Sequence, residues 1–492
     1  MFEIEGKHTT ATVMGEPDMF DERFVEQVQQ IVDHEAFRNP VKVMADGHPG
    51  SGAVIGFTMA LGERVVPNTV GVDIGCGVSS ASLGVEELPM AYEDADERVR
   101  EAVPFGRAVH DFEGAMHVGN EFPWEVVNDR FERFNAAYAE RSDREIDLAE
   151  HTPNGEYDLD YFKALCERVG YDINRAIASA GTLGGGNHFV EIARSERDGD
   201  LRLVLHSGSR GLGLTVANYW QERAVENRRA ERAREAVDEL VAAGYGPYLE
   251  FDPDATSDED LLLWLQGGKG QSFMRKEKIR TDFEGEAIDE TFARLKRAIP
   301  NRSGDSGSGD DGADEELAYL DGSEAHGYFV DMLFCQQYAA TNRRRMVELA
   351  CEALGLPDAP IDVLDSPHNV IDFDDGVIRK GATRVHEGER AVIPFTMQHG
   401  SIVIEGKGND EWNRSSPHGA GRLMSRTQAF EELSIDDYEE LMDGIYSTSV
   451  TEDTLDESPE AYKSPEAIER AMAETATVVD RLLVEHSLKA ED

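Results

Sequence analysis

The chain has 492 residues, 48 Lys+Arg against 98 Asp+Glu, a formal net charge of −50 and 40% apolar residues. That length holds one large domain or two to three ordinary ones, and an acidic excess spread over a chain of ordinary apolar content describes a folded, salt-adapted protein of a halophile rather than a disordered one. A surface of this charge repels polyanions at low salt, so any nucleic-acid contact has to rest on a local basic or metal-lined site, or on salt screening.

Asp21 to His34 reads as the first helix, with Phe24, Val28, Ile31 and Val32 on one face. Val41-Lys42-Val43-Met44 is a strand that leads into Ala45 to Gly52, a glycine-rich turn carrying Asp46 and His48, and Ala53 to Phe57 resumes the extended pattern. Asp46 and His48 are either turn formers or site residues. Val70 to Val78 is apolar and broken by glycines, and it contains Asp73 and Cys76. A buried carboxylate there needs compensation, and a carboxylate three residues from a thiol suits a divalent cation, although a cysteine among glycines also serves as a small core residue. Cysteine, histidine and aspartate together favour zinc, manganese or iron over magnesium.

Phe162 to Ala180 reads as one helix, with Leu165, Val169, Ile173 and Ile177 four apart. It leads to Phe189 to Ile192 and Leu201 to Leu205, which the polar turn Ser195 to Asp200 can join as a hairpin. His188 follows three glycines and Asn187, and His206 opens Ser207-Gly208-Ser209-Arg210-Gly211, so pairing brings two imidazoles together beside backbone that can approach an anion. Ala217 to Ala243 is a charged helix. The basic segment from Lys269 to Arg302 is either a path for a polyanion or a solvated helix surface, and the stretch 303–314 is a flexible acidic loop.

Ala318 to Leu354 is helical, with Asn342-Arg343-Arg344-Arg345 on one turn. His368 ends a strand from Ile361, Ala391 to Met397 is strand and turn material, and Ser401 to Ile404 is a short strand. His418 lies in a loop of small residues followed by Arg422, where packing has no need of a histidine. The last helix takes Ser464 as N-cap and Pro465 at its first position, and buries Ile468, Met472, Val479 and Leu483. Cys76, Cys166, Cys335 and Cys351 are too few and too scattered for a disulfide framework. With no apolar export core and no run of membrane-spanning length, the expectation is a cytoplasmic protein with no membrane partner.

Asp73, Cys76, His188, His206 and His368 share one setting, the end of a short apolar segment beside glycine or a turn residue. Five such donors can hold two cations with the thiolate shared, while His418, Arg210 and Arg422 handle phosphate, which describes a binuclear phosphate-transfer site.

The motifs GVDIGCGV, GTLGGGNHFVEI, HSGSRGLG, RKGATR, HGAGRLMSR and AYK, in this order from Gly71 to Lys463, resemble the RtcB family of RNA-splicing ligases, and DGHPGSG from Asp46 is similar to the family's D-x-H-x-G element. The resemblance covers nearly the whole chain. It implies an α+β fold with a largely antiparallel sheet core surrounded by helices, in a single catalytic domain over 1–492; the helical insert region over 217–317 is read from this sequence, and its acidic loop at 303–314 is a departure from the family. It further implies a ligase that joins RNA 3′-phosphate or 2′,3′-cyclic phosphate ends to 5′-hydroxyl ends with GTP and two manganese ions, sometimes with an archease-like helper, in tRNA splicing or RNA repair.

By the same resemblance His418 is the nucleophile that carries GMP. Asp73, Cys76 and His188 hold one manganese, and Cys76, His206 and His368 the other, with Cys76 bridging. Asn187, Glu191, Asn369, Pro394, Phe395, Thr396, Met397, Ser401, Gly419, Ala420, Gly421 and Lys463 contact the nucleotide, and Arg210 and Arg422 contact phosphate or RNA. The chain departs from the pattern where the family usually shows P-G-S-M: here it reads Pro394-Phe395-Thr396-Met397, so a side chain stands where backbone would meet the nucleotide. That departure keeps open an alternative, a binuclear metal-dependent phosphoesterase of RNA ends that has lost guanylyl transfer.

Overall fold

The structure, a computed structural model, describes residues 1–266, 272–297, 315–359 and 361–490. The acidic stretch 303–314 lies outside the described residues, as do Lys269 and the end of the basic segment at 298–302. The fold is α+β. One six-stranded sheet runs in the order β1 (Phe2–Glu5), β2 (Thr10–Val13), β3 (Val41–His48), β4 (Ile55–Ala60), β10 (Val377–Lys380), β9 (Asn369–Asp372). A seven-stranded sheet runs β12 (Arg390–Pro394), β13 (Ser401–Gly406), β15 (Ala476–Lys489), β6 (Phe189–Ser195), β7 (Leu201–Ser207), β5 (Gly77–Ser82), β8 (Ile361–Pro367). β11 (Ala382–Arg384) and β14 (Ser415–Pro417) pair separately. The pairings between these strands are antiparallel apart from β2 with β3.

The first helix, Glu22–Asp33, forms as its pattern predicts: Asp21 accepts from the Phe24 amide as N-cap, and Phe24, Val28, Ile31 and Val32 are buried. The expected single helix over 162–180 is instead two, Leu159–Val169 and Ile173–Ser179. Gly170 ends the first in the left-handed region at φ 70°, and Asp172 caps the second through the Arg175 amide, so local capping overrides a continuous apolar period.

The expected C-terminal helix also stops early. It covers Pro465–Ala471, a short 3-10 turn follows at Met472–Glu474, and the chain then extends as β15, 14 residues long, between β13 and β6. Val479 and Leu483 therefore belong to a strand, and Leu483 is 46% exposed. Two unpaired edges of neighbouring strands outweigh a helical period that Thr477, Val478 and Val479 support only weakly.

By its internal packing the chain divides into two compact units, Met1–Tyr219 with Asp321–Asp492, and Trp220–Leu320. The helix Arg210–Ala242 begins in the first and ends in the second. The second unit has its own apolar cluster around Val237, Leu261, Ile279 and Leu295. Among the described residues no helix is long and apolar enough to cross a membrane.

Candidate active site

Four adjacent strands of the large sheet, β6, β7, β5 and β8, are antiparallel, and the chain enters or leaves each of them at one edge with a donor side chain. His188 precedes β6, His206 lies at the end of β7, Cys76 precedes β5, and His368 follows β8. Register makes the convergence close: His206 pairs across with Phe189 and with Val78, and Gly77 with both Ser207 and Pro367. The glycines nearby are fixed by space. A Cβ on Gly208 would lie 2.1 Å from Asp73 Oδ1, and one on Gly184 would lie 2.1 Å from His188 Nδ1.

The Cys76 sulfur is 3.1 Å from His206 Nε2 and 3.5 Å from His188 Nε2, and the three donor atoms lie within 4.8 Å of one another. His188 Nε2 is 2.9 Å from Asp73 Oδ2, and His206 Nε2 is 3.2 Å from His368 Nε2. His206 Nδ1 is 3.2 Å from the Asn187 carbonyl, a hydrogen bond that leaves Nε2 as the lone-pair nitrogen. Burial, and then neighbouring imidazoles, hold His206 and His368 well below their ordinary pKa, so both are neutral. Burial opposes ionisation of Asp73, but the hydrogen bond and electrostatic attraction of His188, with the Cys76 hydrogen bond, together outweigh it and bring the carboxyl down to about 2. A buried sulfur and three buried ring nitrogens converging beside a half-buried carboxylate, with the Nε2 lone pairs of two neutral rings facing each other, are a donor set that fits a divalent cation of zinc or manganese type.

His418 stands beside this cluster, its ring centroid 4.7 Å from that of His368. β14 delivers it at the end of its pairing with β11. Its Nδ1 is 2.6 Å from Asp46 Oδ2, and the same oxygen accepts from the His418 amide at 3.0 Å and the Gly419 amide at 3.2 Å. Asp46 is fully buried, on the stretch of β3 where the register against β4 shifts. The open choice at Asp46 is thus resolved: it is no mere turn former, since β3 continues through it to His48. His48 Nδ1 is 2.9 Å from the Asp46 carbonyl, and burial lowers the His48 pKa to about 4. Gly421, at φ 74°, passes so close that a Cβ would lie 2.2 Å from that carbonyl oxygen.

A cavity of about 310 Å³ opens over these groups. Of the residues singled out from the sequence, Asp73, Cys76, Asn187, Glu191, His206, His368, Asn369, Pro394, Phe395, Thr396, Met397, His418, Gly419, Ala420, Gly421 and Arg422 line it. His188, Ser401, Lys463 and Arg210 are not among the residues that line it. The Lys463 ammonium donates to the carbonyls of Ala45 and Gly47, and burial lowers its pKa to about 8. Arg210 donates to Thr182 Oγ1 and the Gly106 carbonyl. Arg422 reaches Glu457 and Tyr462 at one end of the cavity, where Lys489 donates to Glu457 at 2.7 Å. Lys489 also opposes the burial that pushes Glu191 up to about 8.

The roles of four residues escaped the reading of the sequence: Asp46 as the partner of His418, Lys489 in the cavity wall, and Asn342 and Arg343 beneath the donor loops. Asn342 accepts from the amides of Gly181 and Thr182 and donates to Ser207 Oγ and the Gly208 carbonyl. Arg343, 1% exposed, donates to the carbonyls of Gly75 and Ser207 and forks onto Asp365. Two neighbouring residues of the helix Gly322–Ala353 thereby tie together the loops that carry Cys76, His188 and His206. The cluster Asn-Arg-Arg-Arg was the available signal, and it reads equally well as a solvated turn.

The RNA-splicing ligase RtcB of Escherichia coli (strain K12) is 26% identical over 466 residues, which cover 89% of this chain and 87% of that protein. The tRNA-splicing ligase RtcB of Aeropyrum pernix is 25% identical over 469 residues, 87% of this chain and 82% of its own length. That of Archaeoglobus fulgidus is 24% identical over 492 residues, with 89% and 85% covered. Residues 27–246 and 285–488 match the profile of the tRNA-splicing ligase RtcB family, and the chain belongs to that family.

Proposed function

We propose that the chain is a GTP-dependent RNA ligase that joins a 3′-phosphate or 2′,3′-cyclic phosphate end to a 5′-hydroxyl end through a guanylylated His418. The observation that carries this reading is the His418–Asp46 pair set against the Cys/His cluster. With Nδ1 bound to the carboxylate, Nε2 is the nitrogen left as nucleophile, and it belongs to a side chain that lines the cavity.

In the first step the Nε2 lone pair attacks the α-phosphorus of GTP, the P–N bond forms and pyrophosphate leaves. Asp46 keeps the Nδ1 proton in place and stabilises the positive charge that builds on the ring. In the second, an oxygen of the RNA 3′-phosphate, which a 2′,3′-cyclic end first yields by taking up water and breaking its P–O2′ bond, attacks the same phosphorus, the P–N bond breaks and an RNA-3′-pp-5′-G end forms. In the third, the 5′-hydroxyl attacks the RNA phosphorus and GMP leaves. Asp73, Cys76 and His188, and Cys76, His206 and His368, would hold two manganese ions, which when bound neutralise charge on the phosphoryl oxygens. Gly419 to Gly421 bring backbone close to the nucleotide, while Glu191 and Lys489 offer polar groups to it from β6 and β15. The relatives' names, splicing ligases of RNA or tRNA, supply the substrate class.

One observation favours a second reading, a metal-dependent phosphoesterase: the Phe395 side chain takes up cavity wall where the family usually has glycine. Incubation with α-labelled GTP and manganese separates the two. Acid-labile label on the protein, absent from His418→Ala, with sealing of RNA ends is the ligase outcome. Phosphate release from RNA ends without label is the phosphoesterase outcome and rejects the ligase.

A further inference from the structure

A second large cavity, about 700 Å³, lies away from the candidate active site and is lined by Arg38, Arg64, Arg141 and Arg144, with Tyr138 and Asn39. In a chain of 98 acids and 48 bases, arginines are expected to find carboxylates, and most of those described do. Arg64 does, at 3.2 Å from Glu35. Arg38, Arg141 and Arg144 make no ion pair among the described residues, and all three are exposed. Two acids, Glu63 and Asp143, also line the cleft, which leaves its wall net positive on a surface that is otherwise strongly negative.

The floor is built rather than loose. Asn39 donates to the Ala60 carbonyl and receives the Thr9 hydroxyl on its own carbonyl. The Arg141 guanidinium packs so closely on Gly376 that a Cβ there would lie 2.1 Å from Nη1.

Three adjacent strands connect this cleft to the candidate active site. Arg38 and Asn39 come just before β3, which carries Asp46 and His48; Met59 and Leu61 stand at the far end of β4, whose first residue, Ile55, lines the catalytic cavity; and Gly376 precedes β10, which ends beside Gly381 in that cavity. From Val41 to Asp46 the strand spans at most about 17 Å at ~3.3 Å per residue. That equals about five base rises of ~3.4 Å.

We propose that this cleft holds the phosphodiester backbone of the RNA about five nucleotides away from the end being joined. Arginine forks are the side chains best shaped for phosphate, and here they supply the local basic site that a chain of this charge needs in order to hold a polyanion. The proposal rests on the RNA-ligase reading and adds to it a length requirement: an RNA too short to leave the catalytic cavity gains nothing from the cleft.

The test compares 3′-phosphate RNAs of four and twenty nucleotides, binding to wild type and to Arg38→Glu/Arg141→Glu/Arg144→Glu by fluorescence anisotropy across a salt series, with ligation and His418 labelling measured in parallel. The variant is expected to bind the long RNA at least 10-fold more weakly and to lose about two units of salt slope, as three phosphate contacts at ~0.7 each require. Affinity for the short RNA and the rate of labelling stay as in wild type. Arg38→Gln/Arg141→Gln/Arg144→Gln, which removes charge without adding acid, gives a smaller loss in the same pattern. Unchanged long-RNA affinity and slope overturn the proposal, and so does an equal loss for both lengths. A wild-type protein that neither binds nor joins RNA rejects the ligase reading itself.

Discussion

The Asp46 carboxylate, fully buried, lies 2.6 Å from His418 Nδ1 and accepts two amide hydrogens from the same loop, although 372 residues of chain separate the two side chains. One oxygen therefore fixes both where the imidazole sits and which nitrogen carries its proton. Asp46→Asn keeps the shape but can present an amide N–H to Nδ1, which forces the other tautomer and removes the Nε2 lone pair. The expected outcome is a fall of ~10²- to 10⁴-fold in the rate of His418 labelling by α-labelled GTP. A rate within threefold of wild type would mean that the carboxylate does not set the tautomer.

Arg343 makes its contribution at a distance from the chemistry. Its buried guanidinium is a common donor for the carbonyls of Gly75 and Ser207, next to Cys76 and His206. Arg343→Met leaves those carbonyls without that donor and Asp365 without its fork, at a cost of about 3 kcal/mol by urea unfolding. Metal affinity by chelator competition should fall ~10- to 100-fold as the loops lose register. Arg344→Met is the control, because Arg344 is 75% exposed and its ion pair among the described residues is with Glu348 on the helix surface. If the two variants behave alike, the positioning role is wrong.

The sequence made the donor cluster legible because each donor sits where a short apolar run meets glycine, and strand ends at one edge of a sheet necessarily meet. It did not make Asp46 legible, since Asp-Gly in a glycine-rich stretch looks the same whether the carboxylate caps a turn or holds a distant imidazole. The end of the chain misled for a different reason. Ile468, Met472, Val479 and Leu483 satisfy a helical period, and only the edges of β13 and β6 decide that residues 476–489 extend. Reading that stretch as helix also hid Lys489, which reaches the cavity only because β15 runs its full length. At Gly170 the signal was present in the sequence, a glycine followed two residues later by aspartate, and the apolar spacing on either side outweighed it.

Cys76 gives the proposed metal site a proton signature. Burial, and then the Asp73 carboxylate, push its thiol well above the ordinary range, so without a cation it is protonated at pH 7, while His206 and His368 are already neutral. Binding of a cation to the sulfur then displaces about one proton per chain, and apparent affinity rises about tenfold per pH unit below the thiol pKa. Manganese titration of chelator-treated protein in weakly buffered solution should record that release. Cys76→Ser should abolish it along with RNA joining. Release of no protons on saturable binding would place the cation elsewhere.

Glu457 and Lys489 form a buried pair, at 2.7 Å, in the wall of the same cavity. Burial alone would raise the Glu457 pKa, but the Lys489 ammonium, and then Arg422, hold the carboxyl down at about 2. A carboxyl with a folded pKa below its unfolded one adds stability that is complete above about pH 4.5 and is lost as pH falls toward 2. From about 4.5 to about 2 the shift corresponds to roughly 3 kcal/mol. Many other carboxylates titrate in the same window, so the quantity to measure is the difference in unfolding free energy between wild type and Glu457→Gln at each pH. That difference should be largest above pH 5 and shrink steadily on acidification, because the glutamine variant has no carboxyl to protonate. A difference that stays constant from pH 6 to pH 3 would show that Lys489 does not depress Glu457, and would take away the electrostatic account of this end of the cavity.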